Sequence, residues 1–163
     1  MNDIEFSKLL MDLGVLHRYA VFTNTSAIGV YYGQPQILRY LKEHGECSQT
    51  EIAKYLNVSS ASTAVSIKRM QKSGLLEKKA DDSDLRYNKI KITPLGLEKE
   101  QKSREIFDEC SKKLVSGFSD EEKIQLKNYF ERMIENLTEN GKTADDVIGE
   151  LKKAELRSGK NDK

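Results

Sequence analysis

The chain has 163 residues, 37% of them hydrophobic and 33% charged, with a formal net charge of +1. That balance excludes a polycation that holds nucleic acid by bulk charge, and it leaves a lone copy with a thin core, so part of the apolar area is expected between subunits. No apolar run is long enough to span a bilayer, acids stand near the N-terminus where a secretion signal needs bases, and the two cysteines suit a reducing compartment, so a cytoplasmic chain without membrane contact is expected.

Phe6, Leu9, Leu10, Leu13, Leu16 and Ala20 recur at three- and four-residue spacing and predict an amphipathic N-terminal helix that fades in the polar run 23–27. Pro35 suits the first turn of a second helix, which Ile37, Leu38, Tyr40 and Leu41 continue and Gly45 ends. Ser48, with Glu51 three residues on, forms a capping box for a short helix whose inward stripe is Ile52, Ala53 and Leu56. Asn57 and Val58 supply a turn, and Ser59 or Ser60 caps the next helix. There Thr63, Ile67 and Met70 share one face while Ser62, Ser66 and Arg69 share another, and Gly74 stops it.

Residues 75–79 and 88–92 read as two short strands, separated by a stretch rich in turn formers and too long for a tight turn. Thr93 caps a long charged helix that opens on Pro94 and runs toward Gly117, with Ile106, Cys110 and Leu114 inward. A second capping box, Ser119 with Glu122, opens a helix carrying Leu126, Phe130, Met133, Ile134 and Leu137. Asn140 and Gly141 break the chain. Val147, Ile148 and Leu151 predict a last short helix before a fraying tail.

Two short amphipathic helices joined by a tight turn make a helix-turn-helix unit, whose second helix enters the major groove of duplex DNA. A hairpin after it, with Asp84, Leu85 and Arg86 at the tip, is what a winged variant adds. Between Ser60 and Lys91 there are eight bases (Lys68, Arg69, Lys72, Lys78, Lys79, Arg86, Lys89, Lys91) and four acids (Glu77, Asp81, Asp82, Asp84). Eight minus four is +4 against a total of +1, so the rest of the chain sums to −3 and the positive charge lies where DNA would lie.

Reading base edges calls for small polar residues at the helix start and longer cations further along. Ser59, Ser60, Ser62 and Ser66 meet the first need; Lys68, Arg69 and Lys72 meet the second; Val65 suits a thymine methyl. Arg86 suits a narrow minor groove, with Asp84 holding it extended. The plainer reading is a solvated helix face and an ordinary surface ion pair. A winged-helix protein-interaction module without DNA binding is the alternative function, but its second helix would expose apolar and aromatic residues rather than serine, lysine and arginine. No glycine-rich phosphate loop, nucleophile elbow or zinc spacing occurs, so neither an enzyme nor a cofactor is expected.

On Gln36-Ile-Leu38, Ser48-Gln-Thr-Glu-Ile-Ala53, Gly74-Leu-Leu76, Asp84-Leu-Arg86 and Ile92-Thr-Pro-Leu-Gly96, the chain resembles the MarR family of winged-helix transcription regulators. The resemblance implies a mainly α fold: a winged helix-turn-helix with a two-stranded wing at 33–93. Dimerisation helices flank it, one within 1–32 and others within 94–140; the extra short helix and tail at 141–163, read from the residues, lie beyond the resemblance. It further implies a homodimer on a palindromic operator, and a repressor whose DNA affinity a small molecule or oxidation lowers. Carried over, Ser62, Ser66 and Arg69 are major-groove candidates and Arg86 the minor-groove one. The chain departs from the family at Leu85, where many members have arginine, and at Ala64 and Val65, where members often place a polar or basic reader.

An effector pocket between the dimer helices and the winged unit is a further implication, with His17, Tyr19, Phe22, Tyr31 and Arg39 as candidate lining. Such a lining suits a small aromatic or phenolic effector, or an aromatic carboxylate gripped by Arg39. Cys47 precedes a helix N-terminus, a setting that lowers a thiol pKa, although the position equally suits a small side chain packed ahead of the helix. Glu43, His44, Glu46 and Cys47 cluster in sequence without a recognised metal-ligand spacing, so no metal is expected.

Overall fold

A computed structural model of the chain describes residues 2–80, 88–138, 142–143, 146–148 and 150. Its first helix, α1 (Asp3–Ala27), opens on a capping box between Asn2 and Glu5. It runs through the polar stretch 23–27 that the sequence marks as its end. The polar side chains there turn back onto the helix instead of breaking it: Thr23 donates to the Tyr19 carbonyl, Asn24 to that of Ala20 and Thr25 to that of Phe22.

The winged unit follows the expected order closely. Helix α2 (Gln34–His44) has Pro35 in its first turn and ends at Gly45. Helix α3 (Gln49–Leu56) carries the Ser48–Glu51 capping box, and α4 (Ser60–Lys72) is capped by Ser59. The turn between α3 and α4 rests on Asn57, whose φ of 52° is one that asparagine tolerates better than most residues.

Strands β2 (Leu76–Ala80) and β3 (Asn88–Ile92) pair antiparallel from Leu76 opposite Ile92 to Ala80 opposite Asn88. A third strand, β1 (Cys47–Ser48), pairs with β3 so that the sheet order is β1–β3–β2, with Cys47 opposite Ile90. The expected two-stranded wing is therefore part of a three-stranded sheet. A strand of two residues carries no periodicity, which is why the sequence does not announce it.

The core lies within this unit. Val30, Ile37, Leu38, Leu41, Cys47, Ile52, Ile67, Met70, Leu75, Leu76 and Ile90 form one buried cluster, with Leu56, Tyr40, Ile28 and Ile92 packed against it. Thr63, Ile67 and Met70 are the buried face of α4, as their spacing predicts.

Helix α5 (Pro94–Leu114) is capped by Thr93 and packs on α1 and α2. Its burial departs from expectation. Ile106 and Cys110 are half-buried and Leu114 is exposed, whereas the buried residues are Gly96, Glu100 and Ser103. Ser103 is satisfied by donating to the Lys99 carbonyl, and Glu100 by an ion-pair network. Helix α6 (Asp120–Leu137) begins with the Ser119–Glu122 capping box and has no buried residue. Residues 146–148 and 150 are helical, while Asn140, Gly141, Leu151 and the tail lie outside the described residues.

Candidate nucleic-acid interface

The start of α4 is held from two sides. Ser59 Oγ accepts from the Ser62 amide at 3.1 Å and donates to Ser62 Oγ at 2.9 Å. Gln49, at the head of α3, donates its side-chain amide to the Ser60 carbonyl at 3.2 Å. Sequence reasoning missed Gln49, because a hydrogen bond between two helix starts leaves no periodic trace. Ser59 thus serves first as a cap, while the Ser62 hydroxyl keeps its own proton for an acceptor outside the helix.

Ser59→Ala is expected to cost about 1 kcal/mol of stability, and Ser59→Asp to keep the cap while setting a negative charge against duplex phosphates. Thermal unfolding and duplex titration separate the two effects. Wild-type affinity in Ser59→Asp would mean that this helix start does not face DNA.

Along the outward face of α4, Ser60, Ser62, Val65, Lys68, Arg69 and Lys72 are exposed, and Ser59 and Ser66 are half-buried. Among the described residues, none of Lys68, Arg69 and Lys72 enters an ion pair. The hairpin lysines behave differently. Lys91 faces Glu77 across the strands at 4.0 Å, and Lys79 pairs with Glu46 at 3.6 Å. Lys89 lies close enough to Glu51 to help lower the pKa of that carboxyl, which is held down first by the Ser48 backbone and hydroxyl. The positive charge counted over 60–91 is therefore partly matched on the hairpin and, among the described residues, unmatched on α4. Asp84 and Arg86 lie outside the described residues.

Cys47 is buried in β1, and its Sγ lies 3.6 Å from the Gly45 carbonyl. Burial pushes the thiol pKa up and the Glu51 carboxylate adds to it, against a lowering contact from Tyr40. The thiol is thus a packing group with less thiolate than an ordinary cysteine. Its sequence neighbours diverge: His44 Nδ1 is 3.0 Å from the Tyr40 carbonyl, and Glu46 is engaged with Lys79. Among the described residues no three histidines, cysteines or acids gather as a metal site would require.

A cavity of about 320 Å³ opens between α1, α2 and α5. Of the expected lining residues, His17, Phe22 and Arg39 are there; Tyr19 and Tyr31 are not. Tyr19 follows His17 by two residues, roughly 200° around the helix, and is exposed on the far side. In the turn before α2 it is Tyr32, not Tyr31, that reaches the cavity, a choice set by backbone geometry that local sequence does not reveal. Arg18, Glu100, Arg104 and Phe107 also line it. Sequence reasoning had no means to find the α5 members, because which helix covers α1 and α2 is a tertiary matter.

Within this wall Glu100 accepts from Lys42 Nζ and from Arg104 Nη2, the latter at 3.0 Å. Burial raises its carboxyl pKa, but the hydrogen bonds and charges of Lys42 and Arg104 outweigh that and leave it lowered, so the group is ionised at neutral pH. His17 packs edge-on against Phe107 with ring centroids 5.6 Å apart, and its Nε2 is buried without a hydrogen-bond partner among the described residues. Arg39 touches the Tyr55 hydroxyl at 3.4 Å and Glu43 at 3.9 Å.

Comparison with known proteins agrees with this geometry. A family model described as the MarR family matches residues 28–86, a span that starts just after α1, takes in α2, α3, α4 and β2, and stops short of β3. The HTH-type transcriptional regulator BilQ of Clostridium symbiosum is 25% identical over 105 residues, covering 64% of this chain and 73% of BilQ. The fold matches MepR, a transcription regulator of the Staphylococcus aureus multidrug efflux pump MepA, with a TM-score of 0.74 and 24% identity over 82% of this chain and 98% of that one. A mutant of MepR bound to an oligodeoxyribonucleotide matches with a TM-score of 0.65 and 24% identity, covering 82% of this chain and 98% of that one. With its helix-turn-helix, its hairpin and its match to the MarR family model over residues 28–86, this chain is similar to the winged-helix, DNA-binding transcription regulators of that family.

Proposed function

We propose that the chain works in the cytoplasm as a homodimeric repressor that reads a palindromic duplex operator and is released by a small aromatic effector. The observation that carries the DNA reading is the outward face of α4, where serines at the helix start are followed by Lys68, Arg69 and Lys72 without acidic partners among the described residues. In this reading the segment 33–93 is the DNA-binding unit. Ser60, Ser62, Val65, Ser66 and Arg69 meet base edges, Ser59 orders the helix start, Lys68 and Lys72 meet phosphates, and Asp84 and Arg86 serve the minor groove.

Dimerisation rests on the helices outside that unit. Leu9 on α1 is 58% exposed and Leu137 on α6 is 85% exposed, while Leu13, Phe130 and Ile134 are also open. A groove of about 400 Å³ between the two helices is lined by Phe6, Leu10, Leu126, Tyr129, Phe130 and Met133. Apolar faces of this extent on a soluble regulator call for a partner, and a second copy pairs like with like about a two-fold axis. The effector reading rests on the cavity between α1, α2 and α5, where aromatic rings and arginines meet.

The test is binding to a genomic fragment library against random duplex across a salt series, with sedimentation at micromolar protein. Enrichment of a few palindromic sites, a steep salt slope and a stable dimer are expected. A stable monomer would remove the two-fold reading. Failure to bind any duplex would return the winged unit to a protein-interaction role.

A further inference from the structure

Helix α5 is fastened to the winged unit at two places near its start. At the first, the amide and hydroxyl of Thr93 reach the Leu75 carbonyl, and Gly96 lies against the same oxygen. At the second, one turn further on, Glu100 accepts from Lys42 of α2. The Glu100 side chain is only 3% exposed, and its two oxygens also accept from Arg104 Nη2 at 3.0 and 3.3 Å. Among the described residues Lys42–Glu100 is the ion pair that joins α5 to the winged unit.

Burial makes this pair directional. An apolar contact tolerates sliding and tilting, because its energy follows area. A carboxylate taken out of water does not, since any shift that parts it from its cation leaves a charge uncompensated. On one side of the pair, α2 shares a core with α4 through Ile37, Leu38 and Leu41 against Ile67 and Met70, so a tilt of α2 carries α4 with it. On the other side, α5 continues past Phe107, which packs on His17 of α1, to Leu114. The angle held by the pair is therefore the angle between α4 and the helices assigned to the dimer. At about 1.5 Å per residue the end of α5 lies roughly 20 Å beyond Glu100, so a tilt of about 10° moves it by roughly 4 Å. One base pair rises about 3.4 Å.

We propose that Glu100, held by Lys42, is the positioning residue that sets the separation of the two α4 helices in the dimer and so selects the spacing between operator half-sites. The proposal rests on the reading of a homodimer on a palindromic operator. Base edges are met by α4 itself, so the pair acts on spacing and leaves the sequence preference within a half-site as it is.

The probes are duplexes built from the half-site enriched from the genomic library. They carry it once, or as inverted pairs at the enriched spacing and one base pair shorter or longer. Wild type is expected to favour the enriched spacing about 30-fold over either neighbour, and Glu100→Gln to reduce that ratio to about fivefold. The profile flattens without vanishing, because each added base pair also turns the half-site by roughly 35°. Lys42→Met is expected to give the same flattening. Its side chain is 33% exposed and Arg104 still meets the carboxylate, so this variant keeps the test open if Glu100→Gln fails to fold. Lys42→Arg restores a cation and is expected to restore the wild-type profile.

A folded Lys42→Met that keeps the wild-type ratio, with affinity unchanged or lowered evenly at every spacing, would overturn the positioning role and leave the pair a matter of stability. Flattening that Lys42→Arg does not reverse would likewise overturn the assignment to this ion pair. Wild type binding a single half-site as tightly as any inverted pair would overturn the reading of a dimer on a palindrome, and the proposal with it.

Discussion

Arg69→Ala is expected to lower affinity for the operator about 10- to 100-fold while changing affinity for random duplex by roughly threefold or less. The asymmetry follows from position. Arg69 lies on the α4 face shared with Ser62, Ser66 and Val65, well past the helix start, where in the proposed reading a long side chain spans the distance to a base edge. It forms no ion pair among the described residues, so its guanidinium keeps the two-pronged geometry that guanine recognition uses. Lys72→Ala, one turn on, is expected to weaken cognate and random duplex alike and to flatten the salt slope by about one unit. Titration of both variants against operator and random duplex over a salt series makes the comparison. Equal losses for Arg69→Ala on the two duplexes would reassign it to phosphate.

Gly96→Ala, near the start of α5, is expected to destabilise the protein by about 3 kcal/mol or more. A Cβ at this position would stand 2.2 Å from the Leu75 carbonyl oxygen and 2.7 Å from Ile92 Cγ1. The first of these is backbone at the exit of α4, and it has little room to yield. Thr93 binds it from both sides of its own residue: its amide and its Oγ1 each reach the Leu75 carbonyl at 3.1 Å. The same hydroxyl donates to the Gly74 carbonyl at 2.6 Å and accepts from the Gly96 amide at 3.0 Å. Relief of the clash therefore breaks the joint that fixes the end of α4, the return strand and the start of α5 to one another. Denaturant unfolding at fixed protomer concentration measures the loss. A shift below about 1 kcal/mol would show that α5 can slide on α4, and that this joint is softer than its hydrogen bonds imply.

The same joint shows what local sequence carries. Thr93, Pro94 and Gly96 are legible as a helix cap followed by a small residue, and all three serve that local geometry. The capping boxes at Ser48 and Ser119, the buried Thr63–Ile67–Met70 stripe and the outward serines and cations of α4 are legible for the same reason. Each is a pattern within one helix turn or a few, where hydrogen bonding and periodicity act between near neighbours. The run 23–27 is the instructive exception. Its polar residues read as a loop, yet their side chains bond to carbonyls three or four residues back and the helix continues.

The amino-acid sequence by itself determined the winged helix-turn-helix, its caps and the face of α4 that meets DNA in the proposed reading, because these depend on contacts between residues close along the chain. Only the tertiary structure decided that α5 lies against α1 and α2 with Glu100 and Ser103 inward, that Tyr32 rather than Tyr31 enters the cavity, and that Glu46 and Glu51 stand beside the hairpin lysines. Those outcomes bring together residues far apart in sequence. A buried carboxylate there is stable because Lys42, 58 positions away, supplies the charge that neither periodicity nor composition could assign to it.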